Sequence, residues 1–252
     1  MLESWLGLMI GNSRLHWGLF CRENFVYSWD SNYLSMPDLP CPVAPTLPLF
    51  LASVVPSQTV MWQNLPNVKI ITLKDVPLQQ IYPSLGIDRA LAVLGAGVVL
   101  GFPVLVIDAG TALTFTGADN NRVLIGGGIL PGLGMQMAML ETRTGQLPHV
   151  EIPQHLPSRW GLKTSEAIQS GVIYTLLAGI QDFVTAWLLD FPLSKVVITG
   201  GNSTLVYSYL KSLNPEIASR ILVEGDLIFW GMAEVINCSP SLLTVKGFKT
   251  VN

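Results

Sequence analysis

The sequence predicts an α/β protein made of two similar halves. Three observations carry that expectation. Short β-like runs alternate with helix-patterned segments along the chain. A strand–glycine turn–strand segment near the start, around Gly11, recurs around Gly110. Half of the 252 residues are hydrophobic and only 12% are charged, against about 25% charged in an ordinary soluble domain. Much of the chain is therefore expected in buried core.

The elements follow in order. Residues 5–20 are apolar with one interruption at Gly11-Asn12-Ser13, which reads as strand, tight turn, strand. Leu15, Trp17 and Leu19 alternate with His16 and Gly18, as a half-buried strand requires. The proline-rich stretch 36–48 reads as loop. Residues 49–55 and 68–73 are short β-like runs. Residues 88–100 carry Ala90, Leu91, Leu94 and Val98 at helical spacing, and Gly101-Phe102-Pro103 breaks that helix before a strand at 104–107. Asp108-Ala109-Gly110-Thr111-Ala112-Leu113-Thr114 is again strand, turn, strand. Aligning Gly11 with Gly110 puts Met9 on Asp108, Asn12 on Thr111 and Ser13 on Ala112. Helices are expected at 134–142, 164–189, from 203 to about 213, and at 227–237, with a strand at 196–199. On the long helix, Gly171, Thr175 and Gly179 share a face, which suits either close packing within the chain or a dimer interface.

The charge balance limits the partners. With 14 Lys+Arg against 17 Asp+Glu the net charge is −3, so no basic stripe is available to neutralise phosphates, and no nucleic-acid partner is expected. Two stretches of 18 residues, 90–107 and 123–140, lack any Asp, Glu, Lys or Arg. That length is at the lower bound for a membrane helix. Gly95, Gly97, Gly101 and Pro103 interrupt the first, and Gly126-Gly127-Gly128 with Pro131-Gly132 interrupt the second, so both read as core, with no membrane partner. Glu3 precedes a short apolar run with no basic leader, so no signal peptide is expected. Cys21, Cys41 and Cys238 match neither a disulfide framework nor a zinc spacing, which favours a reducing, cytoplasmic setting.

The common nucleotide and hydrolase signatures are absent. No G-x-x-x-x-G-K-[ST], complete G-x-G-x-x-G, H-E-x-x-H or G-x-S-x-G occurs. What remains is a set of glycine turns at strand ends: Gly11-Asn12-Ser13, Gly110-Thr111-Ala112 and Gly200-Gly201. Such turns either close a hairpin or present backbone N–H groups to a phosphate. Scarcity makes the carboxylates informative. Asp88, at the start of a helix, caps that helix or accepts a proton from a hydroxyl. Asp108, ending an apolar strand, forms an Asx turn or holds a cation beside phosphates.

The motif series as a whole resembles type III pantothenate kinase, a member of the acetate-kinase/sugar-kinase/heat-shock-ATPase/actin superfamily. The matching strings are GNS at Gly11–Ser13, GIDR at Gly86–Arg89, DAGTALT at Asp108–Thr114 and GGGILPGL at Gly126–Leu133. TGQLP at Thr144–Pro148, SEAIQSG at Ser165–Gly171 and ITGGNS at Ile198–Ser203 complete the series. The resemblance spans most of the chain. It implies two ribonuclease-H-like, actin-like ATPase domains, at 1–102 and 103–252, with the nucleotide cleft between them, acting as a homodimer.

It also implies roles. Gly86, Ile87, Asp88 and Arg89 would bind pantothenate, with Asp88 the proton acceptor, and Thr164 and Tyr82 would join them. Met9, Ile10, Gly11, Asn12, Ser13, Arg14, Leu15, His16 and Thr111 would contact ATP. Asp108 would bind a monovalent cation, potassium or ammonium, with Mg²⁺ accompanying the nucleotide. The implied reaction is ATP-dependent formation of 4′-phosphopantothenate, entering coenzyme A synthesis. The chain departs from the family pattern at Met9, where an aspartate is usual, and at His16, where a lysine is usual. Lys163-Thr164 stands for an Asn-Thr pair. A non-catalytic binding protein on the same fold, or a kinase for another hydroxylated acid, are the alternatives.

Overall fold

The computed structural model describes residues 2–33, 47–63, 65, 67–239 and 242; Cys41 and most of the stretch 36–48 lie outside them. The chain divides into two compact units. The first comprises residues 1–99 and 226–252, the second residues 100–225.

In the first unit the strands are β1 (Ser4–Ile10), β2 (Leu15–Cys21), β3 (Asn24–Ser31), β4 (Leu49–Ser53) and β5 (Val68–Ile70). They form one sheet in the order β3-β2-β1-β4-β5. β1 pairs antiparallel with β2 and parallel with β4. As the central strand it is covered on both faces, which is why it reads as a continuous apolar run. On one face Leu6, Leu8 and Ile10 pack with Leu15, Trp17 and Trp62 of α1 (Pro56–Trp62). On the other face lies α7 (Leu227–Cys238), which follows the second unit in sequence. A Cβ at Gly18 would stand 2.7 Å from the Phe229 ring, and one at Gly7 3.1 Å from Phe229 and Met232. Those two glycines make room for α7.

Helix α2 (Ile87–Leu100) also meets α7. A Cβ at Gly95 would lie 1.9 Å from the Leu227 carbonyl oxygen, and one at Gly231 2.1 Å from that of Leu91. The two helices thus cross backbone to backbone. This corrects the expected domain limits: the last helix belongs with the first unit, because its Phe229, Gly231 and Met232 are shaped to β1, β2 and α2.

The second unit repeats the topology. Its strands are β6 (Val104–Ala109), β7 (Ala112–Ala118), β8 (Leu124–Gly126), β9 (Ile129–Pro131), β10 (Lys195–Thr199) and β11 (Ile221–Val223). The order is β11-β10-β6-β7-β8, with β9 also on β7. β6 is antiparallel to β7 and parallel to β10, as β1 is to β2 and β4. The helices are α3 (Leu133–Arg143), α4 (Thr164–Asp190), α5 (Ser203–Leu213) and α6 (Pro215–Ala218). Ile173, Leu177 and Ile180 of α4 pack with Ile107, Phe115 and Leu210 in the core. The first uncharged stretch is core, formed by α2 and β6; the second, β8 and β9 with α3, is not, since it buries Leu124, Leu133 and Met137 but exposes Ile125, Ile129, Met135 and Met139. α4 is long and apolar enough to cross a membrane by composition, yet its apolar face is part of this core.

The matching registers make the internal repeat structural. Met9 faces His16 on β2 and Ala52 on β4; Asp108 faces Thr114 on β7 and Thr199 on β10. The two positions are equivalent. Past the glycines the alignment shifts. Gly11 N–H donates to the Arg14 carbonyl, whereas Gly110 N–H donates to that of Ala112, so the first turn is one residue longer. The structure also contains elements that the sequence reading did not include: β3, α1, β8, β9, α6 and β11. The expected run 68–73 ends as a strand at Ile70 and turns into a short 3-10 segment at Leu73–Asp75.

Candidate active site

Asp88 stands in the first turn of α2. Its Oδ1 accepts the Arg89 backbone N–H at 2.8 Å. Burial pushes its carboxyl above the ordinary range, against the smaller opposing pull of the Arg89 N–H and guanidinium. Gly86 is shaped to this carboxylate, since a Cβ there would lie 2.3 Å from Asp88 Oδ1. Arg89 is buried and its Nη1 donates to the Tyr82 hydroxyl at 3.0 Å. Tyr82 is itself half-exposed and fixed by a turn in which Leu85 N–H donates to its carbonyl. Gly86, Ile87, Asp88, Arg89 and Tyr82 are thereby one local cluster. A proton acceptor, a buried guanidinium and a phenol at a helix N-terminus suit a small substrate carrying a hydroxyl and a carboxylate.

The β1–β2 turn lies in the same unit. Asn12, Ser13 and Arg14 are exposed at its tip, and the Tyr33 hydroxyl donates to the Gly11 carbonyl at 2.6 Å. Ile10 and Leu15 are buried, so these two members of the predicted set offer backbone only. Met9 is 1% exposed. His16 is half-exposed, and its Nδ1 lies 2.7 Å from Asp30 Oδ1 on β3. Asp30 Oδ2 is also 3.8 Å from Arg14 Nη1. The sequence reading missed Asp30 because it missed β3. The signal was there: Phe25, Tyr27 and Trp29 alternate with polar Ser28 and Asp30.

In the second unit Asp108 ends β6 beside the Gly110-Thr111 turn. Glycines keep the space by its carboxylate open. A Cβ would stand 2.3 Å from Asp108 Oδ1 at Gly200, where φ is +91°, and 3.2 Å from it at Gly110. Gly132 closes the turn from another side: its N–H donates to the Thr111 carbonyl at 3.0 Å, and a Cβ would meet the Gly110 carbonyl at 2.3 Å. The Gly126–Leu133 motif thus seats the start of α3 against the turn. Asn202 N–H bonds the Ala109 carbonyl at 2.9 Å, which holds the start of α5 next to the end of β6. Two helix N-termini and a glycine turn around one carboxylate suit phosphate oxygens with a cation. Among the described residues no group of three His, Cys, Asp or Glu could hold a metal alone. A cation here would need backbone and nucleotide oxygens besides Asp108.

Thr164 opens α4 at the end of a segment, 144–163, that has neither helix nor strand. Side chains hold that segment down. Tyr174 donates to the Pro157 carbonyl at 2.9 Å, Gln169 to that of Glu151 at 2.9 Å, Ser170 to that of Arg159 and Tyr209 to that of Pro153. Glu166 accepts the Leu162 N–H at 3.1 Å. Thr164 is exposed and lines a groove of about 420 Å³ with Gln136, Leu140, Ile168, Gly171 and Thr175. A Cβ at Gly171 or Gly179 would meet nothing within 4 Å. The small-residue face is thus not used for close packing within the chain among the described residues.

Comparison with known proteins gives relatives that span nearly the whole chain. The family model for type III pantothenate kinase matches residues 43–186. A type III pantothenate kinase of a Nostoc species is 52% identical over 265 residues, covering 93% of this chain and 95% of that protein. One of a Synechocystis species is 47% identical over 237 residues, covering 92% and 90%. Among solved structures, a conserved Baf-family protein from Campylobacter jejuni has a TM-score of 0.66 at 22% identity, covering 94% of this chain and 99% of that one. The activator of 2-hydroxyisocaproyl-CoA dehydratase from Clostridium difficile, with bound ADPNP, has a TM-score of 0.54 at 13% identity, covering 98% and 100%. Those two likenesses concern the fold, a pair of actin-like α/β units. With half its residues identical to a relative across nearly its whole length, and with the family model matching more than half of it, the chain belongs to the type III pantothenate kinase family.

Proposed function

We propose that this chain transfers the γ-phosphoryl group of ATP to the primary hydroxyl of pantothenate, giving 4′-phosphopantothenate and ADP, the first step of coenzyme A synthesis. The observation that carries the reading is the Asp88 carboxylate, held at a helix N-terminus in the space that Gly86 leaves. The hydroxyl oxygen bonds to phosphorus as the bond from phosphorus to the bridging oxygen of ADP breaks, and Asp88 takes the hydroxyl proton. The transition state of such transfers is loose in most accounts, so positioning and charge neutralisation outweigh base strength. Burial, which pushes the Asp88 carboxyl above its ordinary range, makes the carboxylate a stronger acceptor for that proton. Arg89 pairs with the substrate carboxylate, with Tyr82 and Thr164 as further contacts.

On the nucleotide side, Gly11–His16 and Thr111 contact phosphates. Asp108, with the room left by Gly110 and Gly200, fits a monovalent cation, potassium or ammonium. That ion and the nucleotide's Mg²⁺ supply neutralising charge. The small-residue face of α4 and the adjoining groove support a homodimer. Neither Cys21 nor Cys238 is in a disulfide, which suits the cytoplasm.

The test is ADP release with pantothenate present, in potassium, ammonium and sodium buffers. Turnover that depends on pantothenate and is several-fold faster in potassium or ammonium is expected. ATP binding without turnover under every cation would replace this reading with the non-catalytic one, for which the uncharged Met9 is the favouring observation. Turnover with another hydroxy acid but not pantothenate would change the substrate.

A further inference from the structure

The first phosphate turn carries two basic side chains, Arg14 and His16, and both meet one carboxylate. Met9, His16 and Asp30 form a cross-strand row on β1, β2 and β3, with Met9 opposite His16 and His16 opposite Asp30. Met9 on one flank is apolar, so the polar partner of the imidazole comes from the other flank. His16 Nδ1 is 2.7 Å from Asp30 Oδ1, and Arg14 Nη1 is 3.8 Å from Asp30 Oδ2. The far ring nitrogen, Nε2, lies over the turn, 3.3 Å from where a Gly11 Cβ would be. A ring nitrogen facing a carboxylate carries the proton, so Asp30 sets both the tautomer and the tilt of the ring.

We infer that Asp30 is a positioning residue for ATP. It holds His16 so that Nε2 meets a phosphate oxygen at the Gly11 turn, and it keeps Arg14 beside it. An imidazole that carries both protons donates to Asp30 on one side and to a phosphate oxygen on the other. Without Asp30 the half-exposed ring has several rotamers, and ordering it is charged against ATP binding. The inference rests on the reading that this turn takes nucleotide phosphates.

The experiment measures the ATP dissociation constant by calorimetry, and the KM for ATP and for pantothenate, in the full chain. The variants are Asp30→Ala, Asp30→Asn, His16→Ala and the Asp30→Ala/His16→Ala double substitution. Asp30 is half-exposed on an edge strand, so these substitutions spare the core. Asp30→Ala is expected to weaken ATP binding about three- to tenfold, the scale of one charge-assisted hydrogen bond, with kcat and the KM for pantothenate within about twofold. Asp30→Asn, which keeps an acceptor for Nδ1–H, recovers part of that loss. In the His16→Ala background the Asp30→Ala effect shrinks to under twofold, because the residue it acts through is gone. An unchanged ATP dissociation constant in Asp30→Ala overturns the inference, as does an undiminished effect in the His16→Ala background. Because binding is read without phosphoryl transfer, a protein that binds ATP but does not turn over refutes the kinase reading and leaves this inference to be decided by the same constants. A protein that binds no ATP refutes both.

Discussion

At the scale of single residues, Asp88 combines two demands that oppose each other. Burial raises its carboxyl pKa, so folding disfavours the ionised form that the proposed role needs. The linkage has a definite sign. A carboxyl whose folded pKa lies above its unfolded value binds more protons in the folded state, so its contribution to stability worsens as pH rises through the window between the two values. Above that window Asp88 costs stability in full. Asp88→Asn is therefore expected to raise the melting temperature at neutral pH while lowering kcat about 10²-fold or more, the contribution typical of a positioned base. ATP binding should survive, by calorimetry. A variant with full turnover rejects Asp88 as the proton acceptor. In the wild-type protein the acid limb of the kcat/KM profile should fall at a pH above that of an ordinary aspartate. Gly86 gives a second, steric test. Its alanine variant places a methyl group where Asp88 Oδ1 now lies, 2.3 Å from the ideal Cβ. A displacement of that size is expected to cost about 10²-fold in kcat, with the ATP dissociation constant unchanged in the same preparation.

At the scale of elements, the candidate residues in each unit are placed by where strands stop and helices begin. β1 and β6 end on glycine turns, α3 and α5 start against the second turn, and α2 starts at Asp88. The crossing of α2 with α7 fixes α2 from behind, with Gly95 and Gly231 admitting backbone to backbone. Gly95→Ala should gain helix propensity of about 1 kcal/mol. It must also move a backbone carbonyl that lies 1.9 Å from the new atom. Overpacking of that kind costs about 1–3 kcal/mol, and backbone cannot rotate away as a side chain can. The expected net result is a lower melting temperature by differential scanning fluorimetry, and a kcat that falls with it because Asp88 rides on α2. An unchanged melting temperature would show that the helices can separate freely.

At the scale of the whole molecule, the charge deficit has two sources. One is the pair of central strands, buried on both faces, with the helices that cover them. The other is α4, whose inner face fills the core of the second unit while Gly171 and Gly179 look onto open space. If that face is where two copies meet, Gly171→Leu will weaken self-association by analytical ultracentrifugation. The fold itself should tolerate the change, since a Cβ at this position meets nothing within 4 Å and the open groove lies beside it. A dimer of unchanged affinity would move the interface elsewhere.

The sequence by itself determined the α/β class, the recurrence of strand, glycine turn and strand, and the carboxylates set beside glycines at Gly86–Arg89 and Asp108–Thr114. Each is written in local chemistry: apolar periodicity, glycine at a turn, a carboxylate beside glycine. It missed β3, whose alternating aromatics were legible, and with it Asp30. It also placed α7 in the wrong half, because chain order says nothing about which sheet a late helix will cover. Only the tertiary structure decided that the Met9 and Asp108 positions are register equivalents, that Tyr82 reaches Arg89, and that Gly86 and Gly200 leave room for carboxylates. These are contacts between residues distant in sequence, or distances of a few ångströms, and no spacing along the chain encodes them. Packing sets them once β1 and β6 are buried and the helices have found the glycines that admit them.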